Sequence, residues 1–229
     1  MADYINTNIL SQAYIHIEPR NLKTEDELNE FKEHLIKFAR TRTDFYLYPN
    51  AEIEVEFKEG SLKAHITVYG TLLVLIEGIS SYPDFREGIS LLHSDSKRFA
   101  EYVISETQYK AGSKHQDVIR LEARTGVIGS VHKVINQLEN IKIGSKGSYT
   151  AIELSKKIDS AQKELIKLLD NMDNFEDALL IMEGLRPIVN SIPETPSTPK
   201  DKYNTKYDIN NYREKRKRLY EYFGMHSSF

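Results

Sequence analysis

The chain has 229 residues, 40% hydrophobic and 28% charged, with a formal net charge of −3. That is apolar material for one large core or two small ones, and too little net charge to make the whole chain an electrostatic binder of nucleic acid or anionic membrane. The absence of cysteine excludes disulfides, thiolate metal sites and cysteine nucleophiles together.

Charge is unevenly placed: residues 200–229 hold eight Lys and Arg against four Asp and Glu, and residues 1–199 hold 23 against 30. An acidic body therefore carries a basic tail. Met1 to Leu10 lacks a basic, apolar signal pattern. The longest wholly aliphatic run, Leu72 to Ile76, is far short of the roughly 20 residues that a membrane span needs. The expectation is a cytoplasmic protein without a membrane partner.

Residues 1–110 read as an α+β region. Ala13 to Ile17 alternates as a strand, closed by Pro19. Thr24 with Glu27 has the spacing of a capping box, and Leu28, Phe31, Leu35 and Phe38 stripe the helix that follows, which fades near Thr41. A hairpin spans 51–69: Ile53, Val55 and Phe57 alternate with Glu52, Glu54 and Glu56, then Leu62, Ala64, Ile66 and Val68 alternate with Lys63, His65, Thr67 and Tyr69. A Glu59-Gly60 turn pairs Phe57 with Leu62, whereas a Gly60-Ser61 turn shifts the pairing by two residues. Thr71 to Ile79 fits either a buried strand or a short buried helix. Tyr82-Pro83 opens a long helix over 83–107, striped by Phe85, Ile89, Leu92, Ser96, Phe99 and Val103 with Ser96 its one polar break.

Residues 111–186 read as helical, except that Val118 to Leu121 fits a strand equally well. Gly126 and Gly129 each cost a helix about 1 kcal/mol relative to alanine, and Ile128, Val131, Ile135 and Leu138 restore a stripe beyond them. The strongest pattern is a heptad seam over 151–185: Leu154, Ile158, Ala161, Leu165, Leu168, Met172, Phe175, Leu179 and Met182. The cluster Asn171 to Asn174 can kink or split it, but the seam stays in phase across the cluster, which favours continuity. The Phe85 to Val103 stripe offers an antiparallel partner within the chain. Pro187 ends the seam, residues 187–205 form a Pro/Ser/Thr linker, and 206–229 form a basic and aromatic tail in which Asp208 caps a short helix. The fold class is α+β: a small antiparallel sheet of N-terminal strand plus hairpin with covering helices, then a long-helix bundle and a flexible C-terminal tail.

Patterns that carry chemistry are sparse, and the sequence shows no family resemblance. None of the seven histidines makes a zinc-type pair at helical spacing, and no metal or cofactor site is read. His65 beside Glu54 or Glu56 is the best acid–base pairing, because a cross-strand carboxylate favours the imidazolium. Arg124 with Gly126 and Gly129 opens a helix whose backbone amides can hold an anion. In the tail, Tyr212, Leu219, Tyr220 and Phe223 are spaced as anchors, and Arg213, Arg216 and Lys217 as steering charges. The favoured function is a non-enzymatic accessory or regulatory subunit that docks another protein, or another copy of itself, through this tail. Nucleic-acid binding through the tail and Arg124 is the alternative, and an enzyme using His65 with the hairpin glutamates is a third. On the favoured reading, deleting 200–229 leaves folding intact and abolishes assembly.

Overall fold

A computed structural model of the chain describes residues 8–49, 51–58, 62–76 and 81–225. It divides into two compact units, one of residues 1–77 and 88–129 and one of residues 78–87 and 130–229.

The first unit contains β1 (Ile9–Ile17), α1 (Glu25–Tyr46), β2 (Glu52–Lys58), β3 (Leu62–Tyr69), α2 (Leu72–Ile76), most of α3 (Tyr82–Lys110), and β4 (Val118–Arg124). The strands run in the order β2-β3-β1-β4, every neighbouring pair antiparallel. This is the split β-α-β arrangement: α1 carries the chain from β1 to β2 with a place left between them that β3 fills, and β4 then pairs on the other edge of β1. The fold class is α+β as expected, and the ambiguous run at Val118 is the fourth strand.

Alternation on β1 decides which side of the sheet is core. Ala13, Ile15 and Ile17 are wholly buried, with Ala64, Ile66 and Val68 from β3 and Val55 from β2 on the same side. Phe31, Leu35 and Ala39 of α1 and Phe99, Ala100 and Val103 of α3 cover them. The Thr24 capping box is present: the Glu27 amide donates to Thr24 Oγ1 at 3.2 Å, and the Thr24 amide donates to Glu27 Oε2 at 3.0 Å. That helix continues past Thr41 to Tyr46, because its buried stripe runs on through Ala39 and Thr43. In the hairpin Glu56 pairs with His65 and Val55 with Ile66, the register of a Gly60-Ser61 turn; the turn itself lies outside the described residues. Thr71 to Ile79 resolves into α2 as far as Ile76.

Ser96, the polar break in the α3 stripe, answers an irregularity in β1. The register slips between Ile9 and Ser11, which takes the Leu10 carbonyl out of the ladder. Ser96 Oγ donates to Leu10 O at 2.9 Å, and Ser11 Oγ donates to Ser96 O at 2.9 Å, both buried.

The second unit contains the first turns of α3, most of α4 (Gly126–Gly144), α5 (Ala151–Asp170), α6 (Phe175–Asn190) and α7 (Lys206–Met225). The expected continuous seam is two helices. Asn174 Oδ1 accepts from the amides of Glu176 and Asp177 at 2.9 and 3.3 Å, so a fresh helix begins there. Met172 is only half-buried and Phe175 is 62% exposed; α6 instead buries Ile181, Met182, Leu185, Ile188 and Val189. In-phase spacing cannot distinguish one helix from two when a capping residue falls at the join. Pro187 does not end the helix, which runs to Asn190. At Gly184 an added Cβ would stand 2.5 Å from the Phe85 ring, so α6 needs glycine where the start of α3 meets it.

The seam on α5 is buried as read, from Leu154 to Leu168, but it is α7 that packs along it. The Phe85 to Val103 stripe divides its work: Phe99 and Val103 belong to the sheet core, and Phe85 packs on α6. The tail over 206–225 is thus a 20-residue helix, not a short one. Its cap is Thr205, whose Oγ1 accepts from the Asp208 amide at 3.1 Å while Asp208 Oδ2 accepts from the Thr205 amide at 3.1 Å. The proline-rich segment before it is tied down: Ile192 is 1% exposed, the Ser197 amide donates to Ser145 O at 2.8 Å, and Asn204 Oδ1 accepts from the Ala151 amide at 2.8 Å. Lys202 pairs with Glu153 at 2.8 Å. That pair, with the Thr150 cap bonds, holds the Glu153 carboxyl down at about 2.

Two expectations follow. Ser96→Ala leaves the Leu10 carbonyl buried without its donor and costs about 1–3 kcal/mol in urea denaturation, whereas Ser105→Ala, an exposed intrahelical bond, stays within about 0.5 kcal/mol; equal midpoints would remove the role given to Ser96. Glu153 favours the folded state only when ionised. Its contribution is complete above the ordinary carboxyl value of 4.5 and is lost as pH falls towards about 2. Glu153→Gln therefore flattens that part of an acid-unfolding curve, which circular dichroism across pH 2–6 would read.

Candidate functional site

The side of the sheet away from α1 and α3 carries polar and aromatic side chains in three rows. One row crosses Glu54, Thr67, Gln12 and Arg124; the next crosses Glu56, His65, Tyr14 and Glu122; the third holds Lys63, His16 and Arg120. Strand pairing alone brings these residues onto one face, because side chains in register on antiparallel strands point the same way. Apart from Thr67, they are half-buried or exposed.

Tyr14 stands at the centre. The Arg124 guanidinium lies 4.6 Å and that of Arg120 5.6 Å from its ring centroid, and the His65 ring meets it edge-on at 4.9 Å. Arg124 Nη1 donates to Gln12 Oε1 at 2.6 Å, and Gln12 Nε2 donates to Thr67 Oγ1 at 2.8 Å. Arg124 Nε donates to Glu122 Oε2 at 2.6 Å, and Glu122 also accepts from Arg120. Burial alone would raise the Glu122 carboxyl, but the hydrogen bonds from Arg124 and Arg120 outweigh it and hold the group below the usual carboxylate range. Desolvation and the Lys63 charge lower His16, which favours its neutral form. Arg124 is only 12% exposed and serves as a strut; Arg120, at 57%, is exposed while paired with Glu122. At the β2 edge Glu54 accepts from the Tyr69 hydroxyl at 2.8 Å. Charge is therefore graded across the face, from glutamates on β2 to arginines on β4.

Of the residues read from sequence as sites, His65, Glu54, Glu56 and Arg124 all fall on this face. Glu56 stands opposite His65 in register, whereas Glu54 engages Tyr69. Arg124 donates to Gln12 and Glu122. Gly126 has φ +49°, and a Cβ there would lie 1.9 Å from Ile9 O, so that glycine permits close approach of β1. A Cβ on Gly129 would lie 2.0 Å from Thr125 Oγ1, again a packing reason.

The tail residues are elsewhere, in the second unit. Tyr212, Leu219 and Phe223 are 0, 1 and 2% exposed and bury the side of α7 that faces inward; Tyr220 is 48% exposed. The Tyr212 hydroxyl donates to Pro193 O at 2.6 Å, and burial pushes its pKa up to about 12. Arg213 Nη2 donates to Thr195 Oγ1 at 2.7 Å, Arg216 Nε to Ile192 O at 2.8 Å, Lys215 pairs with Asp159 at 3.0 Å, and Lys217 and Arg218 pair with Glu221 and Glu214 along the helix. Three of the four anchors read as facing an outside partner, Tyr212, Leu219 and Phe223, are thus buried within the second unit, where α7 packs along α5.

Tyr14, Gln12, Arg120 and Glu122 were missed from sequence. The alternation Gln12-Tyr14-His16 and Arg120-Glu122-Arg124 carried the signal, but a pattern of period two shows only that residues share a face, not which strands lie side by side.

Comparison with protein families, curated proteins and solved structures finds no match for the chain. Among the described residues no group of three or more His, Asp and Glu is placed to hold a metal ion, and no helix is long and apolar enough to cross a membrane.

Arg124→Lys keeps the charge but loses the fork to Glu122 and Gln12. A loss of about 1–2 kcal/mol in urea denaturation is expected, against less than about 0.5 kcal/mol for Arg120→Lys. Equal losses would remove the distinction between strut and exposed pair.

Proposed function

We propose that the protein is a non-catalytic interaction module, an accessory or regulatory subunit of a larger assembly, which meets its partner on the open face of the four-stranded sheet. One observation carries the reading: Gln12, Tyr14, His65, Arg120, Glu122 and Arg124 hold one another in place on a rigid sheet. Recognition surfaces are built this way, with orientation set before the partner arrives so that little is lost in ordering them on contact. Tyrosine and arginine are also the side chains on which binding energy concentrates. A cytoplasmic setting belongs to the same proposal; a cysteine-free chain suits a reducing compartment without requiring one.

In this reading the contact lies on the sheet rather than on α7, whose Tyr212, Leu219 and Phe223 are buried. Cutting off 200–229 would strip Tyr212, Leu219 and Phe223 from the packing of the second unit, so surface substitutions test the proposal more cleanly. Tagged full-length protein recovered from the cells that make it should lose its co-purifying partner on Tyr14→Ala or Arg120→Glu. Lys217→Glu, on the exposed side of α7, should leave recovery unchanged. The opposite pattern would return the contact to α7.

A further inference from the structure

Which ligand suits the face follows from its chemistry; the inference rests on the reading of that face as the contact surface. The Arg124 and Arg120 guanidiniums lie over the Tyr14 ring, 4.6 and 5.6 Å from its centroid, so the three planar groups form one layered cluster. Planar rings and guanidinium planes stack on planar ligands whatever their substituents. The cations Lys63 and Arg120 stand in the row beside Tyr14, on β3 and β4, with β1 between them. Gln12, in the row on the other side of Tyr14, supplies an amide whose position Thr67 and Arg124 fix at 2.8 and 2.6 Å. An aromatic platform, flanking cations and an oriented amide match a nucleotide base, its phosphates and its hydrogen-bonding edge. We propose that the β1–β4 half of the face binds single-stranded nucleic acid, with a base stacked on the cluster of Tyr14 and its overlying guanidiniums and phosphates against Arg120 and Lys63.

The acidic β2 edge shapes the same site. Glu52, Glu54 and Glu56 are exposed along it and repel a phosphate backbone, which confines the strand to β1, β3 and β4. The footprint is then short, with one aromatic ring and two exposed or half-buried cations, of which Arg120 would exchange its Glu122 partner for a phosphate. A duplex is a poor ligand, because its bases are stacked on each other and their faces are closed to Tyr14. The net charge of −3 is no obstacle, since the cations act locally within a Debye length of about 8 Å.

The test is fluorescence anisotropy on the full-length protein, with labelled 12-nucleotide RNA and DNA single strands and the same RNA as a duplex, at low salt. Both single strands are expected to bind, and the duplex more weakly. Removing the platform with Tyr14→Ala should weaken binding roughly 5- to 150-fold. Two phosphate contacts give a salt slope of about −1.4, and Arg120→Gln should reduce it by about 0.7. Arg120 is exposed, so that variant tests the site even where Tyr14→Ala proves unstable. No binding by the wild type, binding unaffected by both substitutions, or loss confined to Lys217→Gln on α7 would overturn the assignment. If RNA and DNA fail to bind while Tyr14→Ala still strips a co-purifying protein, the ligand class falls and the binding face stands.

Discussion

β1 is paired on both edges, and its nine residues therefore face two environments at once. Every second side chain lies in the core under α1 and α3, and the ones between make the middle column of the opposite face. Moving β1 by one residue would put Tyr14 and His16 into the core and Ile15 and Ile17 onto the outer face. Burial of the aliphatic set thus fixes the position of the polar set. The slip between Ile9 and Ser11 interrupts the alternation of burial, and it is held by Ser96, whose hydroxyl and carbonyl bond Leu10 and Ser11 in return. The core of the first unit and the layout of its open face consequently depend on the same strand.

The second unit solves a different problem. Its longest apolar seam needs a lid, and α7 supplies one from the far end of the chain. The strap of residues 191–205 brings it there, with Asn204, Lys202 and Ser197 each bonded to the helical part. The charges of α7 are distributed to suit: Lys215 reaches Asp159 on α5, Arg213 and Arg216 hold the strap, and Lys217 and Arg218 pair along the helix surface. The surface pairs are individually weak; burial of Tyr212, Leu219 and Phe223 contributes more of the attachment. The acidic body and basic tail visible in the composition are, in part, two sides of one internal contact.

Local signals were read from sequence with good fidelity wherever the physics is local. The Thr24 capping box, the alternation of the hairpin, the α3 stripe and the shared side of Tyr212, Leu219 and Phe223 are all short-range patterns. Readings that required a partner fared otherwise. The seam suggested one helix because Asn174 caps a new one without disturbing the phase, and Pro187 suggested an end that α6 passes by three residues. His65, Glu54 and Glu56 share the hairpin face by alternation alone, whereas Arg124 joins them only because β4 pairs with β1.

What the sequence determined by itself is the type of most elements and the side of each that must be buried, because hydrophobic period and capping act between residues a few positions apart. It also determined that a lysine- and arginine-rich, aromatic helix would follow a proline-rich segment. Which surfaces meet was decided only in three dimensions. Gln12 lies 112 residues from Arg124, and no periodicity spans that interval; only the β1–β4 pairing places them 2.6 Å apart. The same holds for α7. Its anchors were legible as apolar positions, but whether they face outward or inward depends on an α5 seam that begins some fifty residues earlier and on the area the two helices bury together.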